Sequence, residues 1–295
     1  MLEGAPLSTL TPRPRYIVPL PGRAPLQLGE RTLVMGILNV TPDSFADGGL
    51  RFDADRAVAA GVRMVDEGAD VIDVGGESTR PGADALPAGE ELRRVLPVVE
   101  RLAREVPVPI SIDTYKAVVA REACARGATI VNDISGLLFD EALGAAMAET
   151  GAAAILMHNR GRSRDMYKEA AYADVAGEIA RELEAAIGRA TSAGVPRDRI
   201  IVDPGFGFAK RAEHSYEALA RLDRLAALGR PILSGPSRKS FLTRAIGECV
   251  PGGRDWGTAA AVAASVLLGA HIVRVHAVRE MVDVVRVADR LLALA

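Results

Sequence analysis

Eight short, continuous apolar runs constrain what this chain can fold into more than any other feature. They occupy residues 33–38, 71–74, 109–112, 129–131, 153–157, 200–202, 231–233 and 272–275. None alternates apolar with polar, as a strand with one wet face must, and the stretches between them can each hold a crossover helix. Helical spacing, with charged residues set against an Ala/Val/Leu stripe, is clear over residues 53–67, 90–105, 115–126 and 174–193. Gly68, Gly127 and Gly194 follow three of these segments, where glycine closes a last turn. A strand, a helix and a parallel strand connect right-handedly by default. Eight such units in 295 residues predict a single (βα)8 barrel, the TIM-barrel architecture. Hydrophobic residues make up 49% of the chain and aromatics 4%, so the core is filled by Ala, Val, Leu and Ile.

Residues 1–27 carry Pro6, Pro12, Pro14, Pro19, Pro21 and Pro25 and are expected to form an irregular N-terminal arm, with the barrel spanning residues 28–295. The arm has no apolar core of a signal peptide, and the Ala-rich stretch at 258–270 is too short to span a membrane and reads as a buried helix. Thirty-six Lys and Arg stand against 38 Asp and Glu, which argues against nucleic acid or an anionic membrane as a partner. Cys124 and Cys249 lie apart, outside any Cys/His cluster, which suits a reducing cytoplasm and argues against a zinc site.

Polar residues are gathered after the strands and not before them. Asn39, Gly75 to Thr79, Asp113, Asn132 and Asp133, His158 and Asn159, Asp203, Ser237 to Ser240, and His276 all follow an apolar run. In a closed barrel the carboxyl ends of all eight strands open on one face, so these side chains converge on one mouth. A single Asp or Asn in such a place is commonly a helix cap or turn former, and Asp43 and Asp133 are assigned to that class. The polar, Gly-rich stretches 39–49 and 75–82 are long enough to fold over a ligand.

Two features mark an anion. Ser237-Arg238-Lys239-Ser240 reads as the opening of a helix, where free backbone N–H groups and a lysine favour negative charge. Arg274 lies inside an apolar strand, so a buried carboxylate or a ligand phosphate must meet it, and His276 leaves the same strand two residues on. Asp113, Asn132 and Asp203 are short side chains suited to the edge of a flat polar ring such as a 2-amino-pyrimidinone. Residue types and spacing alone leave a metal, a sugar or a purine equally open.

The strings themselves narrow this. Met35 to Phe45 and Asp73 to Gly82 closely resemble the two signature loops of the dihydropteroate synthase family. Ser111 to Thr114, Asn132 to Gly136, Asp203 to Phe208, Ser237 to Ser240 and Arg274 to His276 match that family in order. The resemblance implies a (βα)8 barrel that joins 6-hydroxymethyl-7,8-dihydropterin diphosphate to p-aminobenzoate, releasing pyrophosphate, with Mg2+ as cofactor and a homodimer as the usual assembly. It further implies that Asp113, Asn132, Asp203 and Lys239 hold the pterin between Met157 and Phe208. Asn39 would ligate Mg2+, and Arg274 and His276 the diphosphate. Phe45, Thr79, Arg80, Pro81 and Ser240 would receive the aminobenzoate. Asn159 and Ala277 depart from the family pattern, which commonly has Met and Asp there. A pterin-dependent methyltransferase and a catalytically silent pterin binder are the rival readings.

Overall fold

The computed structural model describes residues 10–40, 49–79, 82–162, 167–168 and 170–294, with the side chains of 49–53 outside the described set. The chain opens with β1 (Tyr16–Leu20) and β2 (Arg23–Leu28), then β3 (Leu33–Asn39), α1 (Gly49–Asp66), β4 (Val71–Gly75), α2 (Ala88–Glu105), β5 (Ile110–Asp113) and α3 (Ala117–Ala125). It continues with β6 (Ala128–Asp133), α4 (Leu143–Thr150), β7 (Ala153–Met157), α5 (Val175–Ser192), β8 (Ile200–Asp203) and α6 (Ala212–Ala220). The two-residue β9 (Leu233–Ser234), α7 (Thr243–Ile246), α8 (Asp255–Leu267), β10 (Ile272–Val275) and α9 (Val278–Leu292) complete it.

Strands β3 to β10 form one parallel sheet in the order β8-β7-β6-β5-β4-β3-β10-β9. A bridge between Val202 and Ile232 joins its two edges, with Val202 N–H donating to the Pro231 carbonyl at 3.0 Å, and so closes the barrel. All eight apolar runs overlap these strands, the run 231–233 meeting β9 only at Leu233.

Period-2 alternation puts each strand's side chains on two sides of the barrel wall. Val34, Ile72, Val74, Ile112, Val131, Leu156, Val202 and Val273 pack outward against the helices in one large core. Leu33, Met35, Val71, Ile130, Ile155, Ile201, Leu233 and Ile272 pack inside the barrel. Continuing those inward stripes towards the carboxyl ends replaces the apolar residues by Asn39, Asp73, Asp113, Asn132, Asp203 and Arg274. The interior is therefore dry at one end and polar at the other.

The N-terminal arm departs from expectation. Residues 16–28 are a β-hairpin, with Tyr16 opposite Leu28 and Val18 opposite Leu26. Its prolines are compatible with pairing because a two-stranded ribbon is all edge, and Pro19 falls where the register shifts. Pro21-Gly22 makes the turn, and Gly22 takes the φ of +64° that a glycine allows there. Val18, Leu20, Leu26 and Leu28 join the interior cluster and plug the end of the barrel opposite the mouth.

Candidate active site

At the mouth lies an open cavity of about 390 Å3, its share of open solvent included, lined by Thr79, Asp113, Asn132, Ile134, Met157, Asp203, Gly205, Phe206, Phe208, Gly235, Lys239 and Arg274. Eight of the residues assigned from sequence line it: Thr79, Asp113, Asn132, Met157, Asp203, Phe208, Lys239 and Arg274. Asn39 and His276 sit at strand ends beside it but not on its wall, and Ser240 is exposed. Phe45, Arg80, Pro81 and Asp43 lie outside the described residues.

Arg274 has the partner that its burial requires, and has it twice. Its Nε donates to Asp73 Oδ2 and its Nη2 to Asp113 Oδ2, both at 2.6 Å. Burial works against the guanidinium charge, but the two carboxylates outweigh it and hold the pKa above the ordinary arginine value. Asp73 Oδ2 also accepts from Asn132 Nδ2 at 2.9 Å, so one fully buried carboxylate sets the orientation of two pocket residues. Sequence reading missed Asp73. The signal was the same as for Arg274: a charged residue inside an apolar strand.

The cavity's ionisable groups are shifted by their surroundings. Burial, opposed by Arg274 and reinforced by Asp73, pushes the Asp113 carboxyl up to about 7. Burial takes Asp203 up to about 6 against the pull of the Gly205 amide, which donates to Asp203 Oδ1 at 2.7 Å. Lys239 is brought down to about 8 by burial and then by Arg274, and its ammonium lies 4.0 Å from the centre of the Phe208 ring. Displaced acid and base values in one cavity are a mark of functional sites.

The backbone N–H of His276 donates to Ser237 Oγ at 3.1 Å, and the ring Nδ1 shares a hydrogen bond of 2.9 Å with the same hydroxyl, the bond's direction following the ring tautomer. Burial first, then Arg274, holds the ring's pKa down at about 3. The expected helix opening at Ser237 is instead an irregular turn. Arg238 adopts a φ of +55° and pairs with Asp255 of α8 at 2.7 Å, and a 3-10 turn at Ser240–Leu242 leads into the short α7. Lys239 is the member of that string that enters the cavity.

Asp133 is the turn former expected of it, accepting from Ser135 N at 2.8 Å and Leu137 N at 2.6 Å. The loop after β4 is pinned from below, where Lys116 bridges Glu77 and Glu91 and Tyr115 donates to Glu77 at 2.9 Å.

Asn39 ends β3 opposite Gly75. A β-carbon at Gly75 would meet Asp113 Cβ at 3.5 Å and Asn39 Oδ1 at 3.8 Å, so the bare glycine keeps the space between those side chains open. Among the described residues no group of three His, Cys, Asp or Glu forms a cation cage. One amide oxygen beside an open space fits a magnesium ion that takes most of its oxygens from substrate phosphates and water.

A closed barrel whose mouth joins two carboxylates, an amide and an amine beside an apolar wall defines a barrel enzyme with a site for a small polar ring. Residues 35–276 match the family described as pterin binding enzyme. A Synechocystis dihydropteroate synthase is 46% identical over 274 residues, 92% of this chain and 95% of the relative. The solved Xanthomonas albilineans dihydropteroate synthase with 4-aminobenzoic acid is 42% identical, with a TM-score of 0.88, and the match covers 96% of this chain and all of that one. The same organism's enzyme in complex with 7,8-dihydropteroate is 39% identical, with a TM-score of 0.83, over 96% of this chain and all of that one. The chain belongs to the pterin-binding enzyme family, in its dihydropteroate synthase branch.

Proposed function

We infer that the chain is a dihydropteroate synthase, joining 6-hydroxymethyl-7,8-dihydropterin diphosphate to p-aminobenzoate with release of pyrophosphate. The carrying observation is the cavity that combines Asp113, Asn132, Asp203 and Lys239 with Met157 and Phe208 in a chain so similar to known synthases. Ionised Asp203 and Asp113 accept hydrogen bonds from the ring N–H and amino groups, Asn132 offers an amide, and Lys239 donates to a ring acceptor. Met157 and Phe208 cover the ring faces.

An aromatic amine is a weak nucleophile, so the rate depends on making the diphosphate leave. We propose a dissociative, SN1-like substitution. As the bond from the exocyclic methylene carbon to the diphosphate oxygen breaks, the pterin ring spreads the positive charge and pyrophosphate takes the electron pair. The amine then bonds to that carbon and loses its proton. Arg274 has committed Nε and Nη2 to carboxylates, which leaves Nη1 for the diphosphate, and His276, with its ring proton on Nε2, would supply a second donor. Asn39 would hold Mg2+, which when bound supplies charge neutralisation at the phosphates. Thr79 and Ser240, with Phe45, Arg80 and Pro81, form the proposed aminobenzoate subsite.

Initial rates test this reading. Given Mg2+ and the pterin diphosphate, the purified chain should release pyrophosphate at a catalytic rate only when p-aminobenzoate is added. A chain that binds the pterin without turnover is the silent homologue. A steep dependence of rate on amine basicity across substituted anilines would overturn the dissociative step, and turnover surviving a chelator would overturn the magnesium assignment.

A cytoplasmic homodimer completes the proposal. In support, Cys124 and Cys249 are free thiols, and Ile246, Val250 and Trp256 present an exposed apolar patch around α7 and α8, with Trp256 88% exposed. Sedimentation at micromolar concentration checks the dimer. Among the described residues no helix is long and apolar enough to cross a membrane.

A further inference from the structure

The synthase chemistry leaves the largely buried ion pair between Glu77 and Lys116 without a role. Lys116 follows Asp113 by three residues after β5, and Glu77 precedes Thr79 by two in the loop after β4. The Lys116 ammonium donates to Glu77 Oε2 and to Glu91 Oε2 of α2, and Tyr115 donates to Glu77 Oε1 at 2.9 Å. Both oxygens of Glu77 are therefore committed, and the carboxylate has one orientation. Burial works against the ammonium, but Glu77 and Glu91 outweigh it and hold the pKa above the ordinary lysine value. A pair shielded in this way fixes geometry far better than an exposed one, which water and salt loosen.

The partners of Glu77 are themselves held. Glu91 is fully buried in the first turn of α2. The Tyr115 ring packs edge-on against Phe139 with centroids 5.4 Å apart, and its own face lies 4.6 Å from the Lys116 ammonium. The Lys116 backbone N–H donates to Thr114 Oγ1 at 3.2 Å.

The root of the loop is gripped from α2 as well. Arg94 donates to the Gly76 carbonyl at 3.0 Å, and a β-carbon at Gly76 would meet Val95 Cγ1 at 2.7 Å, so the helix presses directly on that backbone. Gly76 is thus fastened to α2 and Glu77 to the end of β5. At about 3.6 Å per extended residue, the Thr79 Cα stands no more than about 7 Å from that of Glu77. Thr79 and Asp113 line one cavity from neighbouring strands, and the ion pair joins the two segments that carry them.

We propose that Glu77 and Lys116 are a positioning pair: they tie the loop that carries Thr79 to the strand end that carries Asp113, and so set where Thr79 stands on the cavity wall. The inference rests on the synthase reading. The pair touches neither substrate and acts on turnover through Thr79.

Initial rates on the full-length enzyme, varied in both substrates, test this through a double-mutant cycle. Glu77→Met leaves Lys116 its buried partner Glu91 and breaks the link to the loop. It is expected to raise KM for p-aminobenzoate about fivefold, with the same balance between the two KM values that Thr79→Ala shows. In a Thr79→Ala background the same change should add less than about twofold, because the side chain it positions is already gone. Glu77→Gln, which keeps the shape and an acceptor for Tyr115 but gives up the charge, should restore part of the loss and show a rise of about twofold to threefold. A lowered Tm with both KM values unchanged, or full multiplication of the Glu77 and Thr79 effects, overturns the proposal. If Glu77→Met does not fold, Glu77→Gln decides in its place, and an unchanged KM there overturns it. An inactive parent enzyme would instead overturn the synthase reading itself.

Discussion

Replacing Asp73 by Asn removes one negative charge from the centre of the site at almost constant volume. In the parent, Asp73 Oδ2 accepts from Arg274 Nε at 2.6 Å and from Asn132 Nδ2 at 2.9 Å, while Arg274 Nη2 meets Asp113 Oδ2 at 2.6 Å. Stripping a buried ion of its partner costs about 3–5 kcal/mol. Here Arg274 keeps Asp113, and the repulsion between the two carboxylates disappears with Asp73, so the expected cost is about 2 kcal/mol. For a chain of this size that lowers Tm by about 4 °C.

A second effect fixes the sign independently. Asp73 is one of the charges that raise the Asp113 carboxyl to about 7, so its removal favours ionised Asp113 and lowers that pKa. Pterin binding that needs the carboxylate falls in the parent as pH drops through about 7, and in Asp73→Asn the fall moves to lower pH. Calorimetric titration with the pterin diphosphate between pH 5 and 8, beside thermal melts, reads both effects. An unchanged Tm, or a binding midpoint that stays put or moves up, would refute the electrostatic account of the triad.

Three further outcomes follow from the same structure. Gly205→Ala should destabilise by about 3 kcal/mol or more, read in denaturant melts, because a β-carbon there overlaps the His158 carbonyl and the φ is +67°. His271, whose Nε2 donates to Pro14 O at 3.0 Å, is held by burial at about 4 against an ordinary 6.5, so the unfolded chain binds more protons than the native one between those values and stability falls with acid over that window. His271→Gln should lower Tm at neutral pH yet shrink the acid-induced drop between pH 6.5 and 4; an unchanged drop would remove His271 from the account. Thr79→Ala should raise KM for p-aminobenzoate severalfold and leave the pterin affinity near that of the parent, measured by initial rates and equilibrium dialysis.

The barrel was legible because a parallel strand buried on both faces leaves an unbroken apolar run, and every one of the eight runs overlaps a strand. The mouth was legible because polar residues collected at only one end of those runs. Arg274 declared a need for an anion, but the partner went unnoticed: Asp73 was hidden inside the run 71–74, where it reads as strand. The hairpin at residues 16–28 was missed because prolines in a free ribbon obey looser rules than prolines in a central strand. Lys210 went unassigned, since its acceptors are backbone carbonyls and His158, 52 residues earlier, which no local pattern encodes. Lys239 reached the cavity from an irregular turn rather than a helix start, a difference set by the Arg238 to Asp255 pair across 17 residues.

The central claim is that the polar ends of these strands hold a pterin diphosphate and condense it. Product stoichiometry tests it most directly, with pyrophosphate and dihydropteroate quantified together for the parent, Asp203→Asn and Lys239→Ala, each shown folded by its melt. The account predicts equal amounts of the two products from the parent, and from both variants a pterin KM raised at least tenfold, on the order expected for a lost charged contact. Pyrophosphate without dihydropteroate from the parent, or variants that turn over like the parent, would contradict it.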